Sequence, residues 1–396
     1  MLLVGPLVGA VVVGLAAALA GLLPGTARQL GAARVTAVTG TVAAVVLWLL
    51  LTAATQDTWL VYGRSLNLTD AGRTTFQGMF LLLAALYLLT WVWPAGRDFV
   101  PTSLAAVAPL AAMVMIRPFT LGALFLPLAV ALLVMAMQSG RHGDAAAGWR
   151  YLVMTVLALP LFLLAGWLTA TPAALSSGAA RVLAVAIAIT VGGFPFYMWV
   201  RPAARQGSPL LRPFLFGGAQ LAVMAFLFGW LGEAPGWQAD PVFQSWLRWS
   251  GLLTALLGGL LAAMAADGEE LLSSLLLLDM GVGLLALLLP GTVGWQTAAA
   301  IHAGRSVGLL LVGVGWLWLS GGDKLGRWQR PLAMGLWVYG CLSLVGLPLT
   351  PGFNGRWALL SALGSGELGA VWLPLWLLAA MAGGLWGVWR TVGRGP

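Results

Sequence analysis

Among 396 residues the chain holds one cysteine, two histidines and a single lysine, and only 8% of its residues are charged. Cys341, His142 and His302 are too few for iron–sulfur ligation and leave a bis-histidine haem without support. No cofactor is therefore expected on this chain; any redox centre would belong to a partner. No segment is long and polar enough for a soluble domain. The short, acid-poor loops also lack the acidic or metal-binding motifs that a membrane-embedded lipid-linked transferase would need.

What remains is hydrophobic: 60% of the residues are apolar or aromatic, outside the range of water-soluble domains. Apolar runs of the length that crosses a hydrocarbon core of about 30 Å recur from Leu2 to Trp389. They predict an all-α integral membrane protein of about thirteen transmembrane helices, near 2–23, 33–54, 76–93, 101–117, 119–137, 149–170, 179–200, 212–232, 243–265, 270–290, 295–319, 331–349 with a continuation at 354–366, and 368–390. The first run lacks a basic leader and a small-residue cleavage site, so it is expected to be a true span.

The net charge of +8 is carried almost wholly by arginine. In a soluble protein it would suggest nucleic acid; here the basic residues lie at span ends, and no nucleic-acid partner is expected. Odd-numbered loops and the C-terminus hold thirteen Lys and Arg against five in the even-numbered loops. By the positive-inside rule this predicts an external N-terminus and a cytoplasmic C-terminus in a prokaryotic inner membrane.

Two spans are interrupted, the seventh at GGFPF (192–196) and the twelfth at GLPLTPGFNGR (346–356). Backbone groups freed in hydrocarbon cost several kcal/mol each unless they line a polar cavity or are buried in protein. Paired breaks in the two halves of a chain point to inverted repeats around a midplane path. One polytopic domain over 1–396 is expected, with N-terminal helices to residue 100, a first repeat at 101–235 and a second at 236–396.

Several motifs now fall into a known order. FPFYMW (194–199) resembles the PFHxW of the antiporter-like subunits of respiratory complex I, Mrp antiporters and membrane-bound hydrogenases. QGSP (206–209) resembles their QGAP, and PFLFGGAQLAV (213–223) their eighth helix. DAAAGWRY (144–151) is similar to AAxKY, GEELLSSLLLLDMG (268–281) lies where the family has KRLLAYSSIxHxG, SVGLLLV (306–312) resembles TLGAFAV, and SLVGLPLTPGFNGRW (343–357) follows SLAGIPxTxGFxGKF. Within the family the likeness is greatest to the N-type (ND2-like) subunit. The family has fourteen helices, so the last is expected to be missing.

The resemblance implies ion transport through mid-membrane ionisable residues, and most of those are lost. The fifth-helix Glu aligns with Ala129, the seventh-helix Lys with Thr190 and the eighth-helix Lys with Gln220, while the twelfth-helix Lys becomes Arg356 and the sixth-helix Lys becomes Arg150. Arg does not deprotonate at any working pH, so it cannot replace Lys in proton transfer. Asp279 in the tenth span is expected to pair with Arg305 or Arg356, and His302 shares a helical face with Arg305 three residues on. Arg356, Asp279, Arg305, His302 and Arg150 are thus the candidate path residues. Tyr197 and the tryptophans near span ends, Trp199 among them, are expected at interfaces and lipid or subunit contacts.

Two functions follow. One is a membrane-arm subunit of a complex I-like NADH–quinone oxidoreductase or related assembly, with other membrane subunits and lipids as partners and a degraded or rerouted proton path. The other is an active proton or cation translocator using Asp279, His302, Arg305 and Arg356.

Overall fold

The computed structural model describes residues 26–53, 58–61, 63–93, 98–138, 145–169, 177–233, 236–320, 326–365 and 372–394. The first expected span, 2–23, lies outside them. Each other expected span coincides with a helix, and nine of these, among the described residues, are long and apolar enough to cross a membrane. The chain forms two compact units, 1–152 with 206–226, and 153–205 with 227–396.

In the first unit, helices Thr26–Ala53, Asp70–Val92, Phe99–Met115 and Phe125–Gln138 pack around buried aromatics. Thr69 caps Asp70–Val92 by accepting from the Gly72 amide, which satisfies one of the orphan donors at a helix start. Inside, the Tyr87 hydroxyl meets Ser103 Oγ at 2.7 Å and the Tyr87 ring packs edge-on against Phe99.

A short antiparallel hairpin, Thr58–Val61 with Arg64–Asn67, adds an element to the all-helical expectation. Gly63 sits in its turn at φ +73°, a conformation that costs glycine little. At the start of the eighth span, Pro213–Ala219 winds as a π-helix before the regular helix Gln220–Glu233.

In the second unit the helix Gly268–Leu285 is central and buried from Leu271 to its end. Its start is fixed by reciprocal caps: Asp267 accepts from the Glu270 amide at 2.7 Å, and the Glu270 carboxylate accepts from the Ala266 amide at 3.0 Å. Helix Pro241–Met264 packs against it through glycines; a Cβ on Gly258 would meet the Leu278 Cα at 2.6 Å. On its other side the same helix runs parallel to Trp372–Arg394, since Trp249 contacts Trp372 while Arg390 donates to the Met264 and Ala265 carbonyls. Small residues permit this close backbone approach: a Cβ on Gly383 would lie 2.7 Å from the Gly259 carbonyl oxygen.

Both expected breaks are present. The seventh span consists of Ser177–Val191, an irregular stretch, a single 3-10 turn at Tyr197–Trp199 and the short helix Val200–Gln206. The twelfth consists of Gln329–Val345 and Phe353–Gly364.

Trp199 departs from its expected interfacial place. It is fully buried, and its indole N–H donates to the Ile189 carbonyl at 3.3 Å. The broken span folds back so that this ring covers its own preceding turn, and that burial overrides the general preference of tryptophan for span ends.

Replacing Gly383 with Leu would force apart the parallel pair at a cost of about 1–3 kcal/mol. Because Cys341 is buried and the sequence has no other cysteine, its reaction with a thiol dye on heating reports unfolding directly. The midpoint should fall by several degrees in Gly383→Leu and stay put in Gly335→Leu, where nothing lies within 4 Å of a new Cβ.

Candidate functional site: a buried ion triad at a helix break

The second unit brings three charged side chains together. Asp279 projects from the central helix, Arg305 from Gly291–Leu319, and Arg356 from the first turn of Phe353–Gly364. All three are buried, Asp279 completely. Arg305 Nε donates to one carboxylate oxygen of Asp279 and Arg356 Nη2 to the other. Sequence expectation gave Asp279 one arginine or the other; it holds both.

The remaining donors are directed as closely. Arg305 Nη2 donates to the Asp279 backbone carbonyl at 3.0 Å, and Nη1 points to the Met280 sulfur at 3.2 Å. Arg356 Nη1 donates to the carbonyls of Ser343 and Gly352, each at 3.2 Å, and Nη2 also to Leu344. Those carbonyls flank the break in the twelfth span. Gly346, left-handed at φ +85°, ends the first half-helix and lies against the Arg356 side chain, where a Cβ would collide.

Ser343 completes the junction by accepting from the Gly352 amide at 3.0 Å and donating to the Gly304 carbonyl at 3.3 Å. The Tyr339 hydroxyl donates to the Leu349 carbonyl at 2.8 Å. His302 is buried one turn before Arg305, its Nδ1 donating to the Ala298 carbonyl at 2.9 Å.

The first break is held in the same manner by uncharged groups. The Phe194 amide donates to Thr254 Oγ1 at 2.7 Å, and Ser250 Oγ donates to the Phe194 carbonyl at 2.8 Å. Thr190 turns its hydroxyl back to the Ala186 carbonyl at 2.8 Å. Tyr197, half-buried, stacks on Phe194.

The other predicted positions lie in the first unit. Ala129 is buried, whereas Arg150 is exposed near the start of Ala145–Thr169. Gln220 is buried beside the Tyr151 hydroxyl, yet neither of its amide atoms makes a well-formed hydrogen bond. Sequence reasoning missed Ser250 and Thr254, although two hydroxyl residues four apart on an apolar span were a visible sign of polar work on one helical face.

Residues 111–382 match the transmembrane family of NADH:quinone oxidoreductase and Mrp antiporter subunits. The chain belongs to this family. Curated relatives include NADH-quinone oxidoreductase subunit N of Nocardioides, 28% identical over 213 residues covering 47% of this chain and 38% of the relative. Subunit N of Laribacter hongkongensis is 25% identical over 320 residues, 76% of this chain and 58% of the relative. The chain spans 38%, 40% and 37% of three subunit N relatives that it matches.

Among solved structures it resembles a chain of respiratory complex I from Thermus thermophilus, with TM-score 0.74 and 23% identity over 99% of this chain and 88% of that one. It also resembles a chain of the Mrp complex from Dietzia, with TM-score 0.77 and 16% identity over 98% and 78%. These likenesses establish the fold, that of a multi-pass, antiporter-like membrane protein; the curated relatives above are N-type subunits.

Removing Asp279 from this family member leaves two buried guanidiniums facing each other. Asp279→Leu should therefore cost about 3–5 kcal/mol. Arg356→Met should cost less, because the charge-balanced Asp279–Arg305 pair survives. Thermal midpoints from Cys341 labelling give the ranking; a milder effect for Asp279→Leu would contradict it.

Proposed function

We propose that the chain is a membrane-arm subunit of a complex I-like oxidoreductase or a related ion-translocating assembly in a prokaryotic cell membrane. In this reading it keeps the antiporter fold for structural purposes while its own proton path is degraded. The observation that carries it is the state of the aligned positions. Ala129, Thr190 and Gln220, which the resemblance aligns with ionisable residues of the family, are neutral and buried, and both carboxylate oxygens of Asp279 are taken by arginines.

Membership in the family and the complexes to which its structural neighbours belong support partner membrane subunits, with lipid covering the exposed apolar faces. Quinone or other redox centres would reside in those partners. An external N-terminus and cytoplasmic C-terminus agree with the loop charges. They also agree with the grouping of Arg205, Glu270 and Arg390 at one end of the second unit: Arg205 faces Glu270 at 3.6 Å, and Arg390 binds the Ala265 carbonyl next to Ala266, which Glu270 caps.

A second reading, active translocation, draws on the contiguity of Asp279, Arg305 and His302 and on Arg356 Nε, which is buried without a hydrogen-bond partner. The two separate on isolation. Purified from native membranes in mild detergent, the tagged chain should bring further membrane subunits with it, and a C-terminal tag should be reachable only from the cytoplasmic side. An isolated monomer that transports protons after reconstitution would contradict the proposal and favour the second reading.

A further inference from the structure

We infer that the Asp279–Arg305–Arg356 triad is an electrostatic seal that excludes protons and cations from the second unit. The inference rests on the reading above, that this subunit does not run the usual pump, and it gives the chain a positive role in an assembly, that of insulating the membrane at that point.

Three observations carry it. First, one carboxylate against two guanidiniums leaves an excess positive charge in the membrane interior. Neither guanidinium releases a proton at working pH, so the charge is permanent. A fixed cation in a low-dielectric passage opposes entry of protons and metal cations, the device by which arginine excludes them in selective pores.

Second, Arg356 occupies the carbonyls of Ser343, Leu344 and Gly352. Freed carbonyls at a helix break are the acceptors around which water would gather; the guanidinium fills their place. Third, the backbones at the break are in contact. A Cβ on Gly304 would lie 2.6 Å from the Gly352 Cα, and one on Gly355 would lie 2.5 Å from the Ile301 amide nitrogen, so little room is left for a water file beside the charge.

The test reconstitutes the full chain into vesicles with an imposed pH gradient and, separately, a potassium gradient. Wild-type vesicles should hold both as well as protein-free ones. Arg356→Gln removes the charge and Arg356→Lys turns it into one that can release its proton, and both give up the planar fork that serves the carbonyls while leaving Asp279 with Arg305; each is accepted as folded from its Cys341 labelling midpoint. Proton leak should rise about tenfold or more in both.

A folded Arg356→Lys as tight as wild type overturns the seal, as does a wild type that discharges either gradient faster than empty vesicles. If neither variant folds, the wild-type rates decide in the same terms. Failure here leaves membership of an assembly intact, whereas a tight chain that purifies without partners would contradict the assembly and leave the seal standing.

Discussion

A helix broken inside a bilayer must find a partner for every N–H and C=O that the break releases, because the hydrocarbon offers none. Much of the second unit follows from that constraint. At the first break the Phe194 amide and carbonyl are met by Thr254 and Ser250. At the second, Arg356, Ser343 and Tyr339 meet the carbonyls and the Gly352 amide. At the first break the partners belong to the neighbouring helix 241–264; at the second they belong to the two halves of the span itself, which Ser343 ties to helix 291–319 through the Gly304 carbonyl. Each break thus doubles as a joint: its hydrogen bonds fasten helix 241–264 to the seventh span and helix 291–319 to the twelfth.

The buried charges depend on the same joint. Carrying a guanidinium into a membrane interior costs several kcal/mol, and the Asp279 carboxylate alone cannot offset two of them. Carbonyl dipoles at the helix break supply the rest for Arg356, and the Asp279 backbone carbonyl supplies part of it for Arg305. Break and triad therefore stabilise one another. A lysine at 356 would offer three donors from a point charge rather than a planar fork that serves both an anion and several carbonyls, which is a physical reason for arginine at this position.

Much of this was legible in the sequence. The spans followed from apolar run length, the breaks from Gly and Pro inside those runs, and the family from motifs in a fixed order. The attraction between Asp279 and the buried arginines followed from the cost of leaving charges unpaired. What was not legible depends on geometry between distant residues. That Asp279 binds both arginines requires three helices to converge, and spacing along the chain carries no such information. Trp199 looked interfacial because only the fold-back of its span buries it, and the hairpin at 58–67 was hidden by its brevity between two strong helical signals. That residues 129, 190 and 220 are neutral was readable, but that Thr190 bonds its own helix needed coordinates.

The central claim is that both breaks are closed by protein rather than by water. Hydrogen–deuterium exchange of the protein in native membranes tests it most directly, read at the amides of Phe194 and Gly352. Both should be protected to a degree comparable with amides in the middle of the Gly268–Leu285 helix. Exchange within seconds at either amide, with that central helix still protected, would mean that water reaches the breaks and would contradict the account.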